Sequence, residues 1–401
     1  MRTRFTAVLL AYLCVPAWAS DSGWLTYSPD SLAAGRDAVE RQRPEIMPAY
    51  RALVEEADEA LRAPLYSVVD KTQLPASGDR HDYFSFAPYW WPNPDTEDGL
   101  PYVRRDGEYN EATKSDATDK QRMIDFAKDV HALGLAYYYT GQRAYAEKAA
   151  RQVVNWFVDP DTRMNPNMRY AQAIPGRVDG RDIGIIDSRM LIRVADAIEL
   201  IRPADVLTAS ESARIQDWYR EFLTWLLTSE NGVEEGKADN NHGTWYDAQV
   251  VAFALFTGED GIARRQLQVT RERIAEHFDG QGKQKEELER TRPWHYTNFN
   301  LEAYQLLARY GEKLGEDIWG HGAKGRSLRE GFEFVADHAS KGKDTWSFKE
   351  LHEFEASDAL ANMLAAARAY DDPRLDRVAS LLARQSPEDI NLLLFPPGQR
   401  P

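Results

Sequence analysis

Two short stretches of the sequence concentrate groups that can hold charge and move protons. The first is Asp239-Asn-Asn-His-Gly-Thr-Trp-Tyr-Asp247, just ahead of an apolar run from Ala248 to Phe256. A helix cap explains one asparagine there. It does not explain two asparagines, a histidine and a tryptophan together. The second is Glu289-Arg-Thr-Arg-Pro-Trp-His-Tyr-Thr-Asn-Phe-Asn-Leu301. Asn241 as an amide donor and Arg290 as a cation suit the neutralisation of a carboxylate. Neutral His242, or a tyrosinate at Tyr296, suits removal of a proton, and the phenol of Tyr296 suits delivery of one. A tyrosine has a reference pKa of about 10, so it acts as a base near neutrality only beside a cation. Arg290 or Arg292 would supply that cation. This set meets the three demands of eliminating a 4-linked uronate. The C6 carboxylate is neutralised so that the C5 proton becomes acidic, a base takes that proton, and an acid protonates the departing O4.

The elements that must position these groups are helical. From residue 120 onward the apolar residues recur at helical spacing. They predict helices over Met123–Tyr139, Tyr145–Phe157, Ser188–Ile201, Ser212–Ser229, Thr244–Phe256, Ile262–Phe278, Asn298–Leu314, Leu328–Ala339, Asp358–Tyr370 and Arg374–Arg384. Three turns look alike, Tyr139-Thr-Gly-Gln, Phe256-Thr-Gly-Glu and Arg309-Tyr-Gly-Glu, and place Gly141, Gly258 and Gly311 as helix C-caps. Their spacing implies helical hairpins stacked in an open solenoid or closed into a toroid. In a toroid both polar stretches would lie at corresponding ends of helix pairs and face one mouth. Two segments lack helical period. Residues 76–120 are rich in Pro and aromatics, and residues 159–187 contain Asn165-Pro-Asn-Met-Arg-Tyr-Ala-Gln-Ala-Ile-Pro-Gly176. Loops this long are usually functional or disordered, and the aromatics argue against disorder.

Composition narrows the partners. The chain of 401 residues carries a formal charge of −15, which argues against generic binding to nucleic acid or an anionic membrane. A polyanionic substrate would need a locally basic site against that field. The start of the chain, Met1-Arg-Thr-Arg4, an apolar run from Phe5 to Pro16 and Ala17-Trp18-Ala19, reads as a secretory signal cut after Ala19. The sole cysteine, Cys14, falls inside it, so a mature chain would hold no disulfide and no Cys-ligated metal. No metal-binding, phosphate-binding or dinucleotide motif occurs, and no cofactor is expected. His131 reads as a structural helix residue, and His295 as an exposed or supporting group.

Asn240-Asn-His-x-x-Trp245, followed by Arg290 and Tyr296, resembles the alginate lyase superfamily with an α/α toroid. Pro88-Tyr-Trp-Trp-Pro92, Gly99-Leu-Pro-Tyr102, Tyr170-Ala-Gln-Ala-Ile-Pro-Gly176 and Gly180-Arg-Asp-Ile-Gly184 narrow the resemblance to polysaccharide lyase family 38, whose members act on mannuronan-type alginate or glucuronan. The resemblance runs from about residue 80 to 370 and implies an all-α toroid, taken as one lyase domain over residues 20–401, acting on an anionic polysaccharide or oligosaccharide; the signal-like start places it in the periplasm or beyond. It implies that Asn241 helps neutralise the carboxylate and that His242 assists at the base position or binds the carboxylate. Tyr296 would be the acid and also the base, and Arg290 would hold substrate charge and lower the Tyr296 pKa. Tyr89, Trp90, Trp91, Tyr170, Gln172, Arg181, Asn240, Trp245 and Arg292 are the candidate sugar-binding residues. Mannuronate and glucuronate present H5 and O4 on the same side and need syn elimination, which one tyrosine can serve. Guluronate needs anti elimination, for which His242 and Tyr296 would have to act as a pair. A hydrolase with two carboxylates across a cleft and a non-catalytic glycan-binding scaffold are the competing readings. The first leaves the Asn-His and Arg–Tyr sets unexplained; the second predicts oligosaccharide binding without turnover.

Overall fold

The computed structural model describes residues 26–323 and 326–396, so the expected signal segment, residues 1–19, lies outside the described residues. The helices are α1 (Pro29–Glu40), α2 (Met47–Arg62), α3 (Lys120–Thr140), α4 (Arg143–Phe157), α5 (Leu191–Ile201), α6 (Ala209–Thr228), α7 (Glu230–Glu235), α8 (Asn241–Thr257), α9 (Asp260–His277), α10 (Lys285–Leu288), α11 (Pro293–Leu314), α12 (Leu328–Lys341), α13 (Leu360–Tyr370), α14 (Pro373–Gln385) and α15 (Asn391–Leu394).

Side-chain patterning sorts them into two layers. In α8 almost every residue from Asn241 to Phe256 is buried, as is every residue of α5 except Arg193. Helices covered on all sides belong to an interior layer. By contrast α9 buries only the stripe Ala263, Leu267, Thr270, Arg273, Ile274 and His277, and α14 buries Leu375, Val378, Ala379 and Leu382. Such a stripe fits an outer helix that covers one inner neighbour. The inner helices α3, α5, α8, α11 and α13 pack side by side in that order, with α4, α9 and α14 packed on α3, α8 and α13. α15 packs on α1, α2 and α13. The result is an α/α toroid, as the degenerate hairpins implied. Each inner helix is followed by an outer one that returns, so all inner helices run the same way. Their N-terminal ends therefore gather at one mouth.

Gly141 and Gly258 cap α3 and α8 in the left-handed conformation (φ 69° and 77°), as expected. Gly311 does not cap a helix. α11 runs on to Leu314, and Gly315 (φ 68°) is the cap. The Glu316 N–H returns to the Gly311 carbonyl at 2.8 Å, and a Cβ at residue 311 would stand 2.4 Å from the Glu316 carbonyl oxygen. α11 also begins earlier than expected, because Pro293 opens the helix instead of breaking it. The stretch expected as helix from Ser188 is a 3-10 run, Asp182–Met190, that feeds α5. The helices α1 and α2 were not expected. The buried face of α2 is Ala49, Leu53, Ala57 and Ala60, too alanine-rich to stand out as an apolar period.

The two irregular segments are joined by short strands. β1 (Phe84–Phe86) pairs in parallel with β4 (Tyr170–Ala173), and β2 (Trp90–Trp91) pairs antiparallel with β3 (Val103–Arg104). A fully buried ion pair anchors them to α3: Lys71 Nζ lies 3.0 Å from Asp119, whose carboxylate also accepts the Phe84 N–H at 3.0 Å. These strands bring Tyr89 and Trp90 over the mouth of the ring.

The inner ring depends on close helix approach. A Cβ at Gly134 on α3 would stand 2.9 Å from Ala197 Cβ on α5. Gly134→Val is therefore expected to cost about 1–3 kcal/mol by overpacking, read as a lower urea midpoint. An unchanged midpoint would mean that α3 and α5 do not meet there.

Candidate active site

A cavity of about 870 Å³ occupies the axis of the toroid. Eleven of the thirteen residues singled out from sequence line it. Tyr89 and Trp90 come from the β1–β2 segment, Gln172 and Arg181 from the second irregular segment, and Asn240, Asn241, His242 and Trp245 from the start of α8. Arg290, Arg292 and Tyr296 come from the start of α11. Trp91 and Tyr170 are not part of this lining. Trp91 donates to the Glu108 carbonyl at 3.2 Å and stacks with Arg105. Tyr170 faces a separate surface depression beside Trp225.

At the head of α8, Asn240 is the helix cap, its Oδ1 accepting the His242 N–H at 2.9 Å. The next two side chains are each held by a buried glutamate. Glu287 on α10 accepts the Asn241 backbone N–H at 2.6 Å on one oxygen and the Asn241 Nδ2 at 2.8 Å on the other. Among the described residues the buried Asn241 Oδ1 has no hydrogen-bond partner. Glu235 on α7 lies 2.8 Å from His242 Nδ1. With Nδ1 donating to that carboxylate, Nε2 is left as the imidazole's lone-pair nitrogen, and it makes no hydrogen bond among the described residues. Burial raises the pKa of both glutamates. It lifts Glu287 to about 7 despite the two Asn241 donors, and raises Glu235 against the pull of His242.

Across the mouth, Tyr296 and Tyr89 share a hydrogen bond of 2.6 Å between their hydroxyls. The Arg290 guanidinium carbon lies 3.7 Å from the centre of the Tyr296 ring. Asp106 grips that guanidinium at 3.1 and 3.4 Å and also accepts from Thr291 at 3.1 Å. Arg290 does act to lower the Tyr296 pKa, but burial outweighs it, and Tyr89 adds to the upward shift. The net shift is far upward, so Tyr296 rests as the phenol. The expectation that a neighbouring arginine would hold it as tyrosinate is not met, because burial of the phenol outweighs the arginine, which is itself paired with Asp106.

The cavity is locally basic. Arg290 and Arg104 share Asp106, Arg193 pairs with Glu302, and Lys120 pairs with Asp187. Arg181, Arg189 and Arg292 also line the cavity, with no carboxylate within ion-pair distance among the described residues. Arg181 is oriented by two bonds to Gln172, at 3.0 Å each. Gln172 itself holds a positive φ of 51°, an uncommon setting for a residue with a side chain. It is secured by Ser85 and Asp187. Asp187 is in turn the acceptor for Tyr83, Ser85, Lys120 and Gln172, and those donors hold its pKa low despite burial.

His295 is not a plain exposed residue. It lines the cavity, its ring stacks on Phe299, and burial together with Arg292, Arg189 and Arg290 lowers its pKa to about 4. His131 is a buried residue bonded to the Tyr27 hydroxyl at the far end of the cavity. Glu235, Glu287 and Asp106 were missed from sequence. Each is one acidic residue among 64, and nothing in the spacing marks them as the carboxylates behind the site.

Glu287 gives a test. Its folded pKa, about 7, stands above its ordinary 4.5. Its contribution to stability is therefore complete below about pH 4.5 and is lost as pH rises through 7, on the order of 1.4 kcal/mol per unit of difference. Glu287→Gln is expected to flatten the fall of unfolding free energy across that window. Identical slopes in the two proteins would show that Glu287 is not shifted.

Comparison with known proteins agrees with this geometry. Residues 67–346 match the alginate lyase family. An alginate lyase from Bacteroides ovatus superposes with a TM-score of 0.88 at 32% identity, covering 93% of this chain and 99% of that one. Alginate lyase A1-III from a Sphingomonas species, in complex with a tetrasaccharide, shares the fold at a TM-score of 0.55 and 14% identity, over 88% of this chain and 96% of that one. No protein of curated function matches the chain in sequence. The chain belongs to the alginate lyase family and is a polysaccharide lyase built on an α/α toroid.

Proposed function

We propose that this lyase cleaves 1,4-linked uronic-acid chains, mannuronan-type alginate or glucuronan, by β-elimination. The observation that carries the reading is the convergence of a free imidazole nitrogen at His242, a buried phenol at Tyr296 and unpaired arginines on one cavity. His242 Nε2 takes the C5 proton. Tyr296 delivers its phenolic proton to the departing O4, and Tyr89 holds that hydroxyl in the resting enzyme. The second N–H of Asn241 Nδ2, with Arg292 and Arg181, meets the C6 carboxylate and makes the C5 proton acidic. Arg290, fixed by Asp106, lies on the Tyr296 ring and stabilises negative charge as the phenol gives up its proton.

Three features support this division of roles. Burial keeps Tyr296 protonated, which suits an acid. Glu235 directs the imidazole lone pair away from itself, which suits a base. Among the described residues lining the cavity the acidic ones are Asp187, Asp196 and Glu302; Lys120 pairs with the first and Arg193 with the third, which leaves Asp196 as a lone carboxylate where hydrolysis needs two. His242 and Tyr296 project from adjacent inner helices, α8 and α11, at the same mouth. For mannuronate or glucuronate this pair, in place of a single tyrosine acting as base and acid, has to work from the same side of the sugar, as syn elimination requires. The basic signal-like start of the sequence supports export to the periplasm or beyond, with residues 20–401 acting as one lyase domain. No helix among the described residues is long and apolar enough to cross a membrane.

Polymannuronate, glucuronan and polyguluronate, each incubated with the protein, test the substrate. The expected result is new ultraviolet absorbance from the conjugated double bond with the first or second polymer and none with the third. Turnover of polyguluronate alone would overturn the syn reading. Tyr296→Phe is expected to lower kcat by about 10²–10⁴-fold, the range for loss of a general acid, while oligosaccharide binding persists. Unchanged product formation would remove Tyr296 from the reaction. Glu235→Gln leaves an amide in place of the carboxylate that fixes the His242 tautomer. It is expected to lower kcat about 10-fold or more, with KM little changed.

A further inference from the structure

Of the cavity cations this scheme leaves unused, one stands beside aromatic faces just below the mouth. Arg189 lies at the end of the 3-10 run that feeds α5. Its guanidinium makes one hydrogen bond, from Nη1 to the Ile186 carbonyl at 3.0 Å. Among the described residues no carboxylate lies within ion-pair distance of it. The guanidinium carbon sits 5.0 Å from the centre of the Phe299 ring and 5.7 Å from that of Trp245, and those two rings are 5.0 Å apart. All three side chains line the cavity.

The level of this group along the axis can be read from α11. Its cavity-lining residues are His295, Tyr296, Phe299, Glu302, Gln305, Leu306 and Arg309, a row that descends about one turn, ~5.4 Å, every three to four residues. Phe299, and with it Arg189, lies one turn below the Tyr296 hydroxyl-bearing residue. One turn deeper again, Arg193 is neutralised by Glu302 at 3.3 Å. Positive charge without a carboxylate partner is thus available at the Arg189 level and is cancelled one turn beneath it; deeper still, Arg309 is held by the Thr26 carbonyl and Gln305. Aromatic faces beside an unpaired guanidinium suit a sugar ring that carries a carboxylate.

We propose that Arg189, with Trp245 and Phe299, forms a subsite for the carboxylate of the uronate residue next to the one that is deprotonated. The subsite lies on the inner side of the scissile bond. The inference rests on the uronan-lyase reading and adds a specificity-determining residue to it. Arg189 does not touch the reacting atoms, and it selects a chain whose neighbouring sugar is charged.

The experiment measures steady-state kinetics and oligosaccharide affinity for wild type, Arg189→Gln and Arg189→Lys. The substrates are a uronate tetrasaccharide and the same oligomer with its carboxyls reduced to alcohols. Arg189→Gln is expected to raise KM and weaken binding of the uronate about tenfold or more, the loss of a charge-assisted contact, with kcat changed far less. Arg189→Lys is expected to recover part of that loss. The reduced oligomer is expected to bind wild type and Arg189→Gln equally. Thermal unfolding of each variant separates this from a folding defect: an Arg189→Gln protein that melts with wild type yet binds the uronate as tightly would overturn the subsite. Absence of elimination by wild type on every uronan would overturn the proposed reaction. Uronate binding that still depended on Arg189 would then leave the subsite standing alone.

Discussion

The direction of the inner helices is the constraint on which the rest of the site depends. Each of α3, α5, α8, α11 and α13 is followed by an outer helix that carries the chain back, so the inner five all point the same way. The positive ends of their dipoles collect at one rim, where an anion is favoured. The unpaired arginines of the cavity reinforce that local field. A chain with a formal charge of −15 can in this way offer a basic pocket to an acidic polymer.

The groups at that rim share a second principle. Each is backed by a carboxylate from a different part of the chain: Glu235 behind His242, Glu287 behind Asn241, and Asp106 behind Arg290. Buried carboxylates are costly unless donors satisfy them, so each pair fixes the orientation of its partner. Glu235 sets the imidazole tautomer. Glu287 turns the Asn241 amide so that one N–H is used and the other is left. Asp106 crosses 184 residues of sequence to lock Arg290 flat on the Tyr296 ring.

Burial then decides which proton carriers start with a proton. It raises the phenol of Tyr296 well above its ordinary value and outweighs the arginine that would have lowered it. It lowers His295 to about 4, so that ring stays neutral among three arginines. Desolvation thus leaves Tyr296 with its proton and the neighbouring His295 ring without a charge.

The sequence by itself determined the helical hairpins, the turn glycines Gly141 and Gly258, and the two polar stretches that hold Asn241, His242, Arg290 and Tyr296. Apolar period, left-handed caps and uncommon clusters of polar residues are local signals that survive in one dimension. It misplaced the end of α11 at Gly311, since a glycine inside a helix and one at its cap look alike until the returning Glu316 N–H is seen. It missed α1 and α2, whose buried alanines carry little apolar contrast. Only the tertiary structure decided that Tyr89 meets Tyr296 across 207 residues, that Glu235, Glu287 and Asp106 stand behind the site, and that Trp91 and Tyr170 lie off the cavity. Those facts depend on closure of the ring and on the β1–β4 pairing that lays both irregular segments over it. Hydrogen-bond partnership and desolvation at that distance leave no trace in local spacing.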